Sequence, residues 1–236
     1  MEEKRETSNL TELAYEQLRR AILIGTLEPG QLYTAGELAE RVGVSRTPIR
    51  EALLELERKG MVEIVKNRGM RVRQTSLEDL LEGFEVRLML EVPLTRRATE
   101  LQDDQARSLV ESAFFEFEQA ARCSDIPATL RADRDFHRSL LAGSGNVKAV
   151  QMLFEQRNLV LSGGVETVPR SRSTRECFED HRDIFEAFMN RDGVAAATAM
   201  GRHISNTARM LINQEIQRRP DFGDEFSVER LSWILH

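Results

Sequence analysis

Apolar positions recur at helical spacing on both sides of a tight turn in residues 38–56. They are Leu38, Ala39 and Val42 before the turn and Ile49, Leu53 and Leu56 after it. Gly43 supplies the backbone freedom that a sharp exit from the first helix requires, and Ser45 occupies the N-cap position of the second helix. The pattern predicts a helix-turn-helix, although an ordinary corner between two helices with a charged outer face would show the same periodicity.

Strand-like alternation follows this pair of helices. Residues 61–65 and 70–73 alternate apolar and polar positions on either side of a turn at 66–69, which predicts a β-hairpin. A helix is predicted from residue 10 to about residue 24, and residues 1–9 are expected to form a mobile polar arm. Residues 10–74 are therefore predicted to fold as a winged helix-turn-helix domain.

The remainder of the chain lacks strand candidates and shows apolar residues at helical spacing. Helices are predicted at 76–101, 104–122, 126–142, 146–162, 174–190 and 193–218. Because the connections are short, consecutive helices should pack antiparallel, as a bundle of six or seven helices over residues 75–219. Residues 220–236 are too apolar for a solvated tail and are expected to pack on the bundle or on a partner subunit. The predicted fold class is mainly α.

Charge separates the two halves of the chain. The formal net charge is −6, yet residues 41–73 contain nine Lys and Arg against four Asp and Glu. Attraction to DNA must therefore be local to this segment, since the molecule as a whole would repel a polyanion. The outer face of the second helix suits base edges and phosphates in a major groove. It carries Ser45, Arg46, Thr47 and Arg50.

Neither a membrane span nor a secretory signal is visible in the sequence. No run of about 18 apolar residues occurs, and the first nine residues lack an apolar core. The protein is expected to be cytoplasmic, with no membrane partner. Cys123 and Cys177 form no CxxC pair and stand far apart in sequence, so neither a disulfide framework nor a thiolate metal site is expected.

Three of the four histidines fall on helix stripes that should face the core. Asp133 and His137 lie one turn apart among leucines, and His181 and His203 lie on later helices. A divalent cation would remove the cost of burying the carboxylate while using neutral imidazoles as ligands. This donor set suits Zn²⁺, with Ni²⁺ or Mn²⁺ as further options, and a metal-free polar cluster is the alternative. Asp135 is a weaker ligand candidate because it lies about 160° from His137 around the helix.

The sequence GVSRTPIREAL at 43–53, followed by GMV at 60–62 and a glycine at 69, resembles the DNA-binding domain of GntR-type bacterial transcription regulators. The resemblance implies contacts to bases and phosphates from the second helix and entry of the wing tip into the minor groove. The residues concerned are Arg46, Thr47 and Arg50 in the helix and Gly69 at the wing tip. Arg68, in the same basic turn of this sequence, is a further candidate for DNA binding. Gly36 stands where the family often has an arginine that contacts the operator, so the operator sequence does not carry over.

The pattern DxxFHxxL at 133–140, the DHxxI segment at 180–184 and the later histidine at 203 are similar to the FCD ligand-binding domain of FadR-like GntR regulators. In metal-binding members the matching residues hold a divalent ion inside a helical bundle, and a small carboxylate effector often completes its coordination. The matching residues here are Asp133, His137, His181 and His203. Members that bind acyl-coenzyme A lack this set, which disfavours such an effector.

A carboxylate effector would also require a cation from the protein. Arg87 and Arg157 lie on the inward tracks of their helices and are the candidates to bind it. For Arg87 the alternative is an i,i+4 ion pair with Glu91, and for Arg157 it is a position at the rim of the bundle. The arginines of the long polar loop are expected to be solvated: Arg170, Arg172 and Arg175.

These observations predict a ligand-responsive regulator, expected to be a dimeric repressor, whose winged domains read a near-palindromic double-stranded DNA operator. Its helical domain would bind a divalent metal and a small carboxylate. Two alternatives stay open: the metal itself is the signal, or the metal supports an enzyme activity in the helical domain. The enzyme alternative lacks a clear general base, since no HExxH or comparable motif is present.

Overall fold

A computed structural model shows two compact units. The residues that it describes are 2–74, 76–162, 168, 170–218 and 231. One unit comprises residues 1–76 with 157–165, and the other comprises 77–156 with 166–236. We call them the N-terminal unit and the helical unit. Within the described residues, no helix combines the length and the apolar character that crossing a membrane requires.

The N-terminal unit is a winged helix-turn-helix, as predicted. Its elements are α1 (Glu2–Leu23), β1 (Leu32–Tyr33), α2 (Ala35–Val42), α3 (Arg46–Arg58), β2 (Val62–Val65) and β3 (Gly69–Val72). The strands form an antiparallel sheet in the order β1-β3-β2, in which Val65 pairs with Gly69 beside the turn. The short segment before α2 thus adds a third strand to the predicted hairpin.

Local sequence signals explain the helix-turn-helix. Thr34 and Glu37 form a capping box at the start of α2, and Gly43 ends this helix with a left-handed φ of 77°. The apolar side of α3 packs into the core of the unit, where Ile49 and Leu56 are fully buried. The turn and the buried face therefore agree with the sequence pattern.

Helix α1 is longer than the sequence predicts. It begins at Glu2, so residues 2–9, for which the sequence predicts a mobile arm, are helical. Glutamate, lysine and arginine are frequent in this stretch and have high helix propensity. High helix propensity thus explains why α1 begins before the apolar positions that pack into the core.

The helical unit contains seven helices among the described residues, in agreement with the predicted all-α bundle. They are α4 (Leu77–Leu101), α5 (Asp104–Arg122), α6 (Ile126–Ala142), α7 (Val147–Ser162), α8 (Thr174–Glu179), α9 (Arg182–Met189) and α10 (Gly193–Arg218). The part of α7 from residue 157 onward groups with the N-terminal unit. Helices α4 and α10 pack together and run antiparallel, because Gly193 at the start of α10 lies against Arg96 and Glu100 near the end of α4. The predicted packing of the 220–236 tail lies outside the described residues, apart from Leu231, which is buried.

One predicted helix is two helices in the structure. The sequence predicts a single helix over 174–190, whereas the structure breaks it at Asp180 and His181, between α8 and α9. Asp180 is the C-cap residue of α8, and His181 is the N-cap residue of α9. Apolar residues keep their helical spacing across the break, so the pattern does not reveal it.

Candidate functional site

The outer face of α3 exposes the side chains that the sequence assigns to DNA. Ser45 is the N-cap residue, but its hydroxyl makes no capping hydrogen bond. Arg46, Thr47 and Arg50 are exposed, whereas Ile49 between them is buried. The first turn of the helix therefore presents two guanidinium groups and two hydroxyls beside backbone N–H groups that have no partner within the helix.

The wing tip is the turn between β2 and β3. Lys66, Asn67 and Arg68 are exposed, and Asn67 has a positive φ of 61°. Gly69 follows with a φ of 130°, and a Cβ at this position would collide with the Tyr33 carbonyl oxygen. Glycine at position 69 is therefore required for β3 to approach β1. This structural reason is independent of the minor-groove contact, which stays a prediction.

The absence of a side chain at Gly36 leaves space for the guanidinium group of Arg46. The Nη2 atom of Arg46 lies 3.2 Å from the position that a Cβ at residue 36 would occupy. A side chain at position 36 would therefore crowd the Arg46 guanidinium. Glycine in place of the arginine that the family often has at position 36 therefore influences the position of Arg46, a predicted operator contact.

The four predicted metal ligands converge inside the helical unit. His137 lies on α6, His181 at the break between α8 and α9, and His203 on α10, and all three side chains are buried. One ring nitrogen of each lies within 4.8 Å of the other two. Asp133, one turn before His137, places its Oδ1 atom 3.1 Å from Nε2 of His181. We call these four residues the histidine cluster.

The break between α8 and α9 fixes the orientation of two of the rings. The backbone N–H of His181 donates to the Phe178 carbonyl rather than to that of Cys177. The Nδ1 atom of His181 instead lies 2.8 Å from the Cys177 carbonyl oxygen. Asp180 places its Oδ2 atom 2.7 Å from Nδ1 of His203. A continuous helix would have used the Cys177 carbonyl for its own backbone, so the break supplies a partner for the ring.

A buried ion pair holds the third ring. Glu91 Oε2 lies 2.9 Å from Nδ1 of His137, a short contact whose direction departs from that of a well-aligned hydrogen bond. Glu91 Oε1 accepts from Arg87 Nε at 2.6 Å, and both side chains are at most 10% exposed. An oxygen therefore lies close to Nδ1 in all three rings, an arrangement that orients each ring with its Nε2 atom toward the middle of the cluster.

The remaining lone pairs face one another. Nε2 of His137 lies 3.1 Å from Nε2 of His181, and Asp133 Oδ1 lies 3.1 Å from that second nitrogen. If each ring carries its proton on Nδ1, these contacts place acceptor atoms against one another. A buried group of acceptors becomes favourable only when positive charge lies between them, as a metal cation or an added proton. The donor set therefore fits a cation.

Burial keeps the His203 imidazole neutral. Its pKa is lowered well below the ordinary value of 6.5, first by desolvation and then by electrostatic interaction with the neighbouring His181, His137, Arg87 and Arg172. Metals bind the neutral form of imidazole. The surroundings of His203 therefore keep the ring ready to act as a ligand at neutral pH.

Sequence reasoning missed two carboxylates that face the histidines from outside the cluster. Glu91 was visible on the inward stripe of its helix, but the sequence pairs it only with Arg87 and not with His137. Asp180 stands next to His181 in the sequence, yet its contact with His203 depends on the unpredicted helix break. Such partners orient metal-binding imidazoles in proteins.

Arg172 corrects the expectation that the loop arginines are solvated. Its side chain is buried, and its Nη1 atom donates to Asp180 Oδ2 at 3.1 Å. Arg170 and Arg175 are exposed, as expected. The three arginines lie in a polar stretch without periodicity, so the sequence gives no reason to separate one of them from the other two.

The arginines predicted to bind an effector differ in their surroundings. Arg87 is buried and forms the ion pair with Glu91 that the sequence offers as the alternative. Arg157 is half-buried near the end of α7, in the part of the chain that groups with the N-terminal unit. Its effector role rests on the sequence alone. Asp135, the weaker ligand candidate, is exposed.

The chain matches two domain families and several regulators. Residues 10–72 match bacterial regulatory proteins of the gntR family, and residues 82–206 match the FCD domain. The chain is 26% identical over 231 residues to the HTH-type transcriptional repressor RspR of Escherichia coli, covering 94% of this chain and 96% of that protein. It is 28% identical over 220 residues to the HTH-type transcriptional repressor NanR of Klebsiella aerogenes, covering 84% of both.

The fold is also shared with a solved structure. E. coli McbR/YncC superposes with a TM-score of 0.74 at 22% identity, covering 87% of this chain and 98% of that one. The matched families and relatives are transcription regulators, not enzymes. This chain therefore belongs to the GntR family of bacterial regulators, in the branch that carries an FCD domain, and is a DNA-binding transcription regulator.

Proposed function

We propose that this regulator is a repressor whose helical domain holds a divalent metal ion and responds to a small carboxylate. One observation carries the proposal: ring nitrogens of three buried histidines lie within 4.8 Å of one another, and the Asp133 carboxylate lies 3.1 Å from one of them. RspR and NanR, which this chain resembles over most of its length, are named as transcriptional repressors.

The ion would be held by Asp133, His137, His181 and His203. Three neutral imidazoles and one carboxylate oxygen suit Zn²⁺, with Ni²⁺ and Mn²⁺ as the alternatives. The oxygens that face the Nδ1 atoms would fix the rings and raise their basicity as ligands. The ion would supply a concentrated positive charge that can accept an anionic oxygen from an effector.

DNA recognition is proposed to need two copies of the chain. In a homodimer each winged domain would place residues 45–50 of α3 in a major groove and residues 68–69 of the wing at the neighbouring minor groove of a near-palindromic operator. Effector binding in the helical domain would change the relative placement of the two readers. Couplings of this kind are typically about 1–3 kcal/mol.

Elemental analysis tests the metal. We expect the purified full-length protein, dialysed against zinc and then against metal-free buffer, to retain close to one zinc per chain. His181→Ala should lose most of it, because the variant removes the ring that contacts both His137 and Asp133. His236→Ala removes the fourth histidine of the chain and is the matched control. Full occupancy in His181→Ala would contradict the ligand set.

DNA titration tests the response. An operator selected by the protein from random double-stranded DNA would be titrated by fluorescence anisotropy at fixed salt, with and without zinc and a panel of small carboxylates. We expect a carboxylate to change the operator affinity by about 5- to 150-fold when zinc is present. A response to zinc alone would favour the metal as the signal. An affinity that neither addition changes would overturn the proposal.

A further inference from the structure

The guanidinium group of Arg46 lies over the first turn of α2. Its Nη2, Cζ and Nε atoms lie 3.2, 3.7 and 3.7 Å from the position that a Cβ at residue 36 would occupy. Because three guanidinium atoms approach the same point, the group covers Gly36 and does not merely touch it with its tip. Arg46 is the first residue of α3 and Gly36 is the second residue of α2, so the side chain reaches from one helix of the pair to the other.

The backbone of α2 does not itself require glycine at position 36. Gly36 is not among the residues with a positive φ, and alanine has a higher helix propensity than glycine. The three atoms nearest to the missing Cβ all belong to the Arg46 side chain. The absence of a side chain at this position therefore serves the placement of Arg46.

Packing, not an ion pair, holds the Arg46 guanidinium in this place. Among the described residues, Arg46 forms no hydrogen bond and no ion pair. The acidic neighbour of Gly36 is Glu37, whose Oε2 atom accepts the backbone N–H of Thr34 at 2.7 Å in the capping box. The Glu37 carboxylate is thus engaged with the start of α2. The N–H donors of the Arg46 guanidinium therefore stay available for DNA.

The position of the guanidinium determines which part of the DNA it can reach. In a helix-turn-helix the second helix lies in the major groove and contacts base edges, whereas the first helix crosses the sugar-phosphate backbone. Here α2 is the first helix and α3 is the second. A guanidinium that lies over the first turn of α2 is therefore directed toward a phosphate and away from the base edges.

Arg50 is the second exposed arginine near the start of α3. It lies one turn after Arg46 and also has no hydrogen bond or ion pair among the residues that the structure describes. A guanidinium pairs with O6 and N7 of guanine through two hydrogen bonds, which is the commonest specific contact in a major groove. Arg50 is therefore the arginine of α3 that remains for a base edge.

We propose that Gly36 is a specificity-determining residue of this regulator. By admitting the Arg46 guanidinium, the glycine assigns Arg46 to a phosphate of the operator and leaves Arg50 to read a base. The inference rests on the proposed placement of α3 in a major groove. A side chain at position 36 would displace Arg46 from α2 and so change the contacts of the reading helix.

Operator binding at several salt concentrations tests the assignment of the two arginines. Fluorescence anisotropy would measure the affinity of the full-length protein for the operator selected from random DNA, and for operators in which each base pair of a half-site is replaced in turn. Arg46→Ala should weaken binding to all of these duplexes by the same factor. It should also reduce the slope of log affinity against log salt by about one per bound chain. Arg50→Ala should instead reduce the discrimination at one base pair by about tenfold.

Gly36→Ala isolates the role of the glycine. The added methyl group must displace the Arg46 guanidinium, so operator affinity should fall by at least about twofold, the lower range for coupling between residues in contact. In an Arg46→Ala background the same substitution should have no effect, because no guanidinium remains to be displaced. Alanine at position 36 favours the helix, so α2 should keep its fold.

Arg58→Ala is the matched control for the arginine variants. Arg58 lies at the C-terminal end of α3 and pairs with Glu55, so its removal should change neither the affinity nor the salt slope.

The outcomes separate the inference from the proposed placement of α3. A loss in Arg46→Ala that depends on the base pair would overturn the inference, because it would place this guanidinium on a base edge. A Gly36→Ala variant with wild-type affinity, or one whose loss persists in the Arg46→Ala background, would also overturn it. If neither Arg46→Ala nor Arg50→Ala changes the affinity, α3 is not the reading helix and the proposed placement fails as well.

Discussion

The two units of the chain place their functional side chains in opposite environments. Among the described residues of the N-terminal unit, no polar or charged side chain is buried, and the residues assigned to DNA lie on the surface. In the helical unit, charged groups and imidazoles lie in the interior. The buried ones around the histidine cluster are Arg87, Glu91, His137, Arg172, His181 and His203.

This difference indicates how strongly each function depends on the folding of its unit. A surface that binds DNA can be altered without disturbing the apolar core beneath it, because the two sets of side chains are separate. A cation held by the buried histidine cluster, as proposed, would couple ligand binding to the folding of the helical unit. The two units should therefore respond differently to comparable changes.

Removal of the metal should have the largest effect. With free zinc at about 1,000 times its Kd, binding to the folded chain alone adds about 4 kcal/mol to the free energy of unfolding. Urea unfolding of the full-length protein, followed by circular dichroism with zinc or with a chelator, measures this difference. His181→Ala should unfold identically in both buffers. Identical wild-type curves would show that no stabilising ion is bound.

Arg50→Ala should separate binding from stability. The arginine is exposed on α3, so its removal should weaken operator binding at fixed salt by about 1–3 kcal/mol. The free energy of unfolding should change by less than about 0.5 kcal/mol, as for most surface substitutions. Arg58→Ala is the matched control, because Arg58 lies at the C-terminal end of the same helix and pairs with Glu55. Unchanged affinity in Arg50→Ala would mean that α3 is not the reading helix.

The metal-free protein should lose stability as the pH falls below about 6.5. The pKa of His203 is lowered in the folded state, mainly by burial, so the unfolded chain binds its proton first. One such group changes the free energy of unfolding by at most about 1.4 kcal/mol per pH unit. His203→Gln should flatten the urea-unfolding profile between pH 6.5 and the lower folded pKa. An equally steep profile in that variant would contradict a neutral buried imidazole.

A wing substitution should give the smallest effect. Arg68 is exposed at the turn between β2 and β3, where a guanidinium can pair with one phosphate. Arg68→Ala should reduce the slope of log affinity against log salt by about one. Glu63→Ala is the control. It removes an exposed acidic side chain from β2 and so changes the charge of the wing in the opposite direction. A salt slope that does not change would place the Arg68 side chain away from the phosphates.

The fold of the N-terminal unit could be predicted from the sequence because the residues that determine its turns and helices are close together in the chain. The turn at Gly43, the N-cap at Ser45 and the apolar side of α3 lie within a few residues of one another. The extension of α1 to Glu2 was missed because it follows from helix propensity rather than from an apolar stripe. Periodicity detects only the part of a helix that packs.

The convergence of the histidine cluster could be predicted from the sequence, but the contacts that orient its rings could not. Helical spacing is enough to turn His137 and His203 inward. The break at Asp180 leaves the apolar spacing intact, so periodicity cannot show that this carboxylate reaches His203. The burial of Arg172 likewise depends on a tertiary contact with a residue eight positions later. Long-range contacts of this kind are set by packing, which one sequence does not display.

The central claim is that imidazole nitrogens in the core of the helical unit bind the metal. X-ray absorption at the zinc edge, on the full-length protein loaded with one zinc per chain, measures the ligand atoms directly. The account predicts three nitrogen ligands at about 2.0–2.1 Å, accompanied by oxygen. A sulfur ligand at about 2.3 Å from Cys123 or Cys177, or a shell of oxygen alone, would contradict it.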